Sequence, residues 1–337
     1  MLNIHVNPNK ILLMTTLVLS TAMIMSSSSW LFVWVGFEIN LMSFLPLMMS
    51  SHSTKEMSSC IMYFLVQAIS SPILLLSALM LMYLTYSITT NNIINNYPYL
   101  LLLISLMMKL GGSPCHYWLP KVMNNLTWPM ICLLTIWQKI PALAIMSSLS
   151  TKWAPMAMSS LVILNAMVGG TGGINQTHMR PLLAYSSIMH LSWMLTAMLV
   201  SSILPPIYFT LYSIILMSLI TIMITSNKMS INQFNLLHNP SHGSMLVMFL
   251  TMLSLAGMPP LTGFMPKIMV LNSTISWHPW LSFILITLSL MSLYYYLTLF
   301  IGSSLSSFKS IKNTPSHYHL PLMIIISTST LPLMLIS

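Results

Sequence analysis

The sequence has 337 residues, of which 56% are hydrophobic and only 4% are charged, whereas soluble domains carry about 25% charged residues. A soluble globular domain is therefore excluded, because its surface would lack the charges that keep it in solution. The formal net charge of +9 comes from single cations scattered through loops and apolar runs, which predicts anionic lipid headgroups as neighbours and no nucleic-acid partner.

Apolar runs of about 18–25 residues recur along the chain, the length of helix that crosses the hydrocarbon core of a bilayer. They predict an all-α, polytopic membrane protein of about eleven transmembrane helices joined by short loops. The third helix is long enough to be tilted, with a kink expected at Ser70-Ser71-Pro72. In chain order, the predicted spans are 10–27, 30–49, 57–86, 98–118, 127–147, 154–173, 180–200, 204–225, 245–275, 279–301 and 319–336.

Two of these spans have glycine and proline in the middle of an apolar run. The fourth is interrupted at Gly111-Gly112-Ser113-Pro114 and the ninth at Gly257-Met258-Pro259-Pro260, so each helix must kink or break there. Because the fourth and the ninth span are five positions apart in the order of spans, an odd number, the two run in opposite directions. This indicates a single membrane domain with an antiporter-like pair of inverted five-helix repeats, about 10–147 and 154–301, followed by the helix at 319–336. Ordinary kinks, which membrane helices tolerate, are the alternative.

The loop cations separate onto two sides of a chain with these spans. The positive-inside rule then places the N-terminus on the inner side and the C-terminus outside. The 35 methionines and the lack of a cleavable presequence are typical of a protein made inside a mitochondrion, where the two sides are the matrix and the intermembrane space. The outer side receives Lys152, and the inner side receives Lys10, Lys55, Lys121, Arg180, Lys228, Lys309 and Lys312.

Four charged residues fall inside predicted spans: Glu38, Lys109, Lys139 and Lys267. A charged side chain at the centre of a membrane helix costs on the order of 3 kcal/mol, so such residues must be paired, hydrated or neutralised. Burial favours the neutral form of a lysine and a neighbouring carboxylate favours the charged form. A glutamate–lysine pair can therefore switch a lysine between protonation states. This pattern predicts a proton relay, with His190 in the seventh span as a fifth candidate.

Structural roles are the alternatives for these residues. Lys109 or Lys139 could form a static salt bridge with Glu38, but one carboxylate cannot neutralise three buried lysines. His190 could simply be hydrogen-bonded between helices.

The remaining acidic residue and the cysteines indicate no further chemistry. Glu56, beside Lys55, is expected in a solvated or subunit-contacting loop. Cys60, Cys115 and Cys132 show no CxxC and no metal-ligand spacing, so they are interpreted as small buried apolar residues. No metal, haem or iron–sulfur site is predicted.

Seven short motifs, spread along essentially the whole chain, follow one another in the order typical of a known family. They are GFEIN at 36–40, KLGGSPCHYWLP at 109–120, LTW at 126–128, WQKI at 137–140, GGTGGINQT at 169–177, YSSIMHLSW at 185–193 and LAGMPPLTGFMPK at 255–267. In order and spacing they resemble the antiporter-like membrane subunits of respiratory complex I. The resemblance implies proton translocation from the matrix to the intermembrane space, in which Glu38 gates Lys109, Lys109 exchanges protons with Lys139, and Lys267 leads to an exit or to the neighbouring subunit.

The resemblance also implies a setting. The chain would act as a subunit of an H⁺-translocating NADH:ubiquinone reductase in the mitochondrial inner membrane, with no redox site or cofactor of its own. NADH, FMN, iron–sulfur clusters and ubiquinone would be bound by other subunits. Its expected partners are neighbouring antiporter-like and small subunits of the membrane arm and phospholipids such as cardiolipin. Two alternatives remain: a subunit of a multi-subunit sodium/proton antiporter, and a mainly structural spacer of the arm.

Overall fold

A computed structural model of the chain describes residues 8–49, 53–86, 96–149, 155–226 and 242–307. In these ranges the chain is built from helices joined by turns. Seven of the described helices are long and apolar enough to cross a membrane, and two shorter apolar helices cover Tyr97–Leu110 and Val247–Ala256. The predicted all-α, polytopic membrane architecture is therefore confirmed.

The chain divides into two compact units, Met1–Ala157 and Met158–Ser337. The helices of the first unit are α1 (Pro8–Ser26), α2 (Trp30–Met48), α3 (Thr54–Tyr86), α4 (Asn96–Leu110), α5 (Trp118–Asn125), α6 (Trp128–Cys132) and, after a π-helical turn at Leu133–Trp137, α7 (Lys139–Leu149). Helix α8 (Pro155–Gly172) begins at the boundary, and the second unit continues with α9 (Met179–Val200), α10 (Leu204–Ser226), α11 (His242–Ala256), α12 (Phe264–Ile275) and α13 (Pro279–Ser307).

Most predicted spans coincide with one of these helices or with two helices on either side of a break. The prediction for the fourth span was wrong at its end, because the helix resumes after the break and continues to Asn125 as α5. Helix α3 runs through Pro72 without interruption, since a membrane helix can satisfy the lost backbone bond locally. The predicted span 319–336 lies outside the described residues.

Both predicted breaks are present, and the two have the same local geometry. Gly111 and Gly257 adopt positive φ angles of 73° and 80°, a conformation that glycine enters without steric cost. The backbone N–H of the residue after each glycine donates a hydrogen bond to a carbonyl in the last helical turn. Gly112 donates to the Met107 carbonyl at 3.0 Å, and Met258 donates to the Leu253 carbonyl at 3.2 Å. These are Schellman caps, so α4 and α11 each end cleanly in mid-segment.

Candidate functional site

Lys109 lies in the last turn of α4, just before the first break. Its side chain is 9% exposed, and its ammonium lies 4.4 Å from the centre of the Phe37 ring. The Glu38 carboxylate interacts with it electrostatically. The C-terminal end of a helix dipole, the ring face and the carboxylate all favour a positive charge. Together they offset part of the cost of placing this charge in the interior.

Lys139 is the first residue of α7, and only Gln138 separates it from the π-helical turn. It is 2% exposed and is among the largest fully buried side chains of the protein. Pro141 explains the irregular backbone, because it cannot donate to the carbonyl of Trp137 and its ring crowds that carbonyl. The Gln138 N–H bonds instead to the Leu133 carbonyl, five residues back. Such turns are frequent at functional sites.

The residues around Glu38 connect the two lysine-bearing segments of the first unit. On one side Phe37 contacts Lys109. Two residues after Glu38, Asn40 accepts a 2.9 Å hydrogen bond from the Gln138 side chain, which is next to Lys139 in the chain. Helices α4 and α7 also pack against each other. The structure thus brings the predicted residues Glu38, Lys109 and Lys139 into one region.

Lys267 lies in the second unit, in the first turn of α12 after the second break. It is 5% exposed, and its ammonium donates a 2.6 Å hydrogen bond to the carbonyl of Ala256, the last residue of α11. Its ammonium also lies 5.8 Å from the centre of the Trp193 ring. The carbonyl end of α11 carries a partial negative charge. Lys267 therefore bridges the two halves of the broken helix.

His190 is buried in α9, one helical turn before Trp193. Its Nδ1 atom lies 2.8 Å from the Tyr208 hydroxyl, and its ring packs against Tyr212 with centroids 4.6 Å apart. Because residues three apart share a helix face, His190 and the tryptophan beside Lys267 lie on the same side of α9. The second unit thus places its predicted histidine and lysine on packed helices.

Sequence reasoning missed the polar and aromatic partners of these residues. These partners carry no charge, so the search for charged residues in apolar spans did not select them: they are Phe37, Gln138, Trp193 and Tyr208. Helical spacing was an available signal for Trp193, which follows His190 by three, whereas Phe37 is only a chain neighbour of Glu38. Tyr208 lies on a different helix, and only the packing reveals its contact with the histidine.

Two sequence predictions about charged residues were wrong. Glu56 was expected in a solvated or subunit-contacting loop, but it belongs to the first turn of α3 and is only 3% exposed. The helix begins at Thr54, earlier than the span predicted from 57, and this start turns Glu56 inward. Arg180 was counted as a loop cation, but it is the second residue of α9 and is buried.

The three cysteines are free thiols. Cys60 is buried as predicted, whereas Cys115 and Cys132 are half-buried. The part of the chain that the structure describes has no group of three or more histidine, cysteine or acidic side chains placed to hold a metal ion.

Buried lysines beside paired helix breaks define an antiporter-like class of membrane protein, and the comparisons with known proteins identify it. Residues 27–292 match the family described as NADH:quinone oxidoreductase/Mrp antiporter, transmembrane. The chain belongs to this family, which confirms the resemblance found in the sequence.

Within this family, the chain is similar over most of its length to one particular subunit of NADH-ubiquinone oxidoreductase. The chain is 37% identical over 301 residues to NADH-ubiquinone oxidoreductase chain 2 of Lumbricus terrestris, with 88% of this chain and 87% of that protein covered. It is 36% identical over 329 residues to chain 2 of Didelphis virginiana, with 94% of each covered. A chain in the respiratory complex I structure from Thermus thermophilus has the same fold, with a TM-score of 0.79 and 23% identity over 97% of this chain and 77% of that one.

Proposed function

We propose that this chain is a proton-translocating core subunit in the membrane arm of mitochondrial respiratory complex I. Three lysines carry the proposal: Lys109, Lys139 and Lys267 are each buried, and each lies where a helix ends, begins or resumes. A lysine that only anchors a helix at the membrane surface keeps its ammonium in water. Intramembrane ionisable residues instead mark ion and proton pathways.

The first unit has the parts of a switch. With Glu38 close, Lys109 is favoured as the ammonium, supported by the Phe37 ring. When the carboxylate moves away, the ammonium is left in a low-dielectric interior and releases its proton to the neutral amine of Lys139. Lys109 becomes neutral, Lys139 becomes charged, and no net charge is created. The link from Asn40 to the segment of Lys139 supports coupling of this exchange to movement of α2.

The second unit supports a related role for Lys267. Both the ammonium and the neutral amine carry N–H groups, so the lysine can donate to the Ala256 carbonyl in either protonation state. The site therefore holds the nitrogen in place while its charge changes. We propose that Lys267 and His190 continue the relay toward the exit or the neighbouring subunit.

The proposed assembly supplies the redox chemistry. As a subunit of NADH:ubiquinone reductase, the chain would use energy released where other subunits bind NADH, FMN, iron–sulfur clusters and ubiquinone. Its partners would be the adjoining membrane-arm subunits and inner-membrane phospholipids such as cardiolipin. Exposed Lys10, Lys55 and Lys121 support an N-terminus on the matrix side, with a C-terminus in the intermembrane space. The two inverted repeats remain part of this proposal.

Replacing Lys139 tests the function. In assembled complex reconstituted into vesicles, Lys139→Leu should lower the number of protons pumped per NADH oxidised, because the acceptor of the exchange is lost. Lys121→Leu is the matched control, since Lys121 is exposed on α5 of the same unit and its loss should leave the ratio unchanged. An unchanged ratio in the assembled Lys139→Leu complex refutes the relay and favours a structural spacer. A sodium-dependent ratio favours the antiporter alternative.

A further inference from the structure

The first half of helix α3, up to Pro72, has its polar and apolar faces reversed relative to a soluble helix. The face that points away from the protein interior carries the exposed side chains of Met57, Ile61, Leu65 and Ile69, as suits contact with lipid. The interior face carries an acid, hydroxyls, a thiol, a phenol and an amide. These buried residues are Glu56, Ser59, Cys60, Tyr63, Gln67, Ser70 and Ser71, and they are called the α3 polar stripe below.

The stripe is continuous along the helix axis. Its members recur every three or four residues, which places them on one helical face. From Glu56 to Gln67 the helix rises by about 16 Å, at about 1.5 Å per residue. That distance is roughly half of the ~30 Å hydrocarbon core of a bilayer. The stripe is therefore long enough to lead from one membrane surface to the middle of the membrane.

The stripe contacts the segment of Lys109, next to the first helix break, through Gln67 and Tyr63. The Gln67 side chain donates a 3.5 Å hydrogen bond to the backbone carbonyl of Lys109. The Tyr63 ring packs edge-on against Trp118, with centroids 5.7 Å apart. The indole N–H of Trp118 in turn donates to the Met108 carbonyl at 3.2 Å. The stripe thus reaches the backbone of the lysine that the proposed relay uses.

The outer end of the stripe lies next to the protein surface. Glu56 is the third residue of α3, and the preceding residues Thr54 and Lys55 are exposed. A carboxylate that is 3% exposed is therefore less than one helical turn from residues that reach the surface. An acid in this position can exchange protons with water and pass them inward.

Two serines of the stripe use their hydroxyl protons within α3 itself. Ser59 donates to the Glu56 carbonyl at 2.6 Å and Ser70 to the Gln67 carbonyl at 2.8 Å, so both bond within α3. A serine whose proton is used in this way still offers acceptor lone pairs on its oxygen. Small polar side chains of this kind can hold water without joining neighbouring helices.

We propose that the α3 polar stripe is the matrix-side input path for Lys109 and that Glu56 is its proton acceptor. This inference rests on the proposed function and on the matrix orientation of the N-terminus. The Glu56 carboxylate takes a proton from matrix water and becomes neutral. The proton moves along water held between side chains whose successive axial steps are about 4.5–6 Å. It arrives on the neutral amine of Lys109, which becomes the ammonium, and Glu56 returns to its carboxylate form.

The test compares Glu56→Gln with Lys139→Leu in assembled, reconstituted complex. Glutamine keeps the size and polarity of Glu56 but cannot bind and release a proton, so it should remove most of the pumping that Lys139→Leu removes. Glu56→Asp should restore pumping, because it returns the carboxylate. Lys55→Gln is the matched control, since it removes an exposed neighbouring charge and should leave the proton-to-NADH ratio unchanged.

The outcomes separate the input path from the proposed function. If Lys139→Leu lowers the ratio and Glu56→Gln does not, the input path is refuted and the function stands. If neither lowers it, both are refuted. If Glu56→Gln fails to assemble, Gln67→Leu takes its place, because it removes the last polar group before Lys109. A wild-type ratio in that variant also refutes the path.

Discussion

Gly257→Ala should displace the side chain of Lys267 although the lysine itself is not substituted. A Cβ atom at position 257 would lie 2.8 Å from the Lys267 ammonium nitrogen and 2.9 Å from its Cδ and Cε atoms. Because these atoms are the flexible end of a side chain, the lysine yields and the 2.6 Å bond to Ala256 is lost. Alanine also costs about 1–2 kcal/mol in the left-handed conformation at φ 80°, and losing a charge-assisted hydrogen bond costs about 1.5–3 kcal/mol.

Two measurements on the assembled complex separate these effects. Thermal unfolding reports the loss of stability, and the proton-to-NADH ratio in vesicles reports the position of the lysine. We expect both to fall in Gly257→Ala. The double variant with Lys267→Leu should pump no worse than Lys267→Leu alone, because both changes act through the same side chain. An assembled Gly257→Ala complex with a wild-type ratio would show that the bond to Ala256 is dispensable. A double variant that pumps less would show that Gly257 acts by another route.

Two further substitutions test the packing of the second unit by thermal unfolding of the complex. Gly169→Ala should destabilise it by about 1–3 kcal/mol, because the new Cβ would lie 2.5 Å from a backbone nitrogen of α9, which cannot yield. Gly170→Ala, whose nearest atom is at 3.1 Å, should cost less, and equal losses would contradict the close approach of α8 and α9. Tyr208→Phe should cost about 1–3 kcal/mol because His190 loses its 2.8 Å bond. Tyr294→Phe, at an exposed residue, is the control, and matching effects would contradict a stabilising bond.

The positions of the helices could be predicted because they depend on local chemistry. A run of apolar residues long enough to cross a bilayer must form a helix, since no other local structure satisfies its backbone in lipid. The breaks at Gly111 and Gly257 are equally local, because glycine and proline impose them on any surrounding structure. The π-helical turn before Lys139 was missed, although Pro141 is the residue that disrupts the helix there.

The burial of Glu56 could not be predicted from its neighbours in the sequence. An adjacent pair of opposite charges, Lys55 and Glu56, is typical of a solvated loop, and the apolar run begins only afterwards. The helix nevertheless starts at Thr54, so the lysine points outward and the glutamate inward. A difference of three residues at a helix start, which sequence patterns do not resolve, decided the environment of the acid.

By itself, the sequence determined the membrane class of the chain, the places where its helices break and the charged residues that enter the interior. These follow from composition and from neighbours in the chain. Only the tertiary structure decided the partners of those charges. The Phe37 ring contacts the Lys109 ammonium. Gln67 donates a hydrogen bond to the backbone of Lys109, 42 residues away in the chain, and the Tyr208 hydroxyl lies at hydrogen-bond distance from His190. Such contacts depend on which helix faces pack together, and the hydrophobic pattern of a membrane helix leaves that choice open because lipid and protein are similarly apolar.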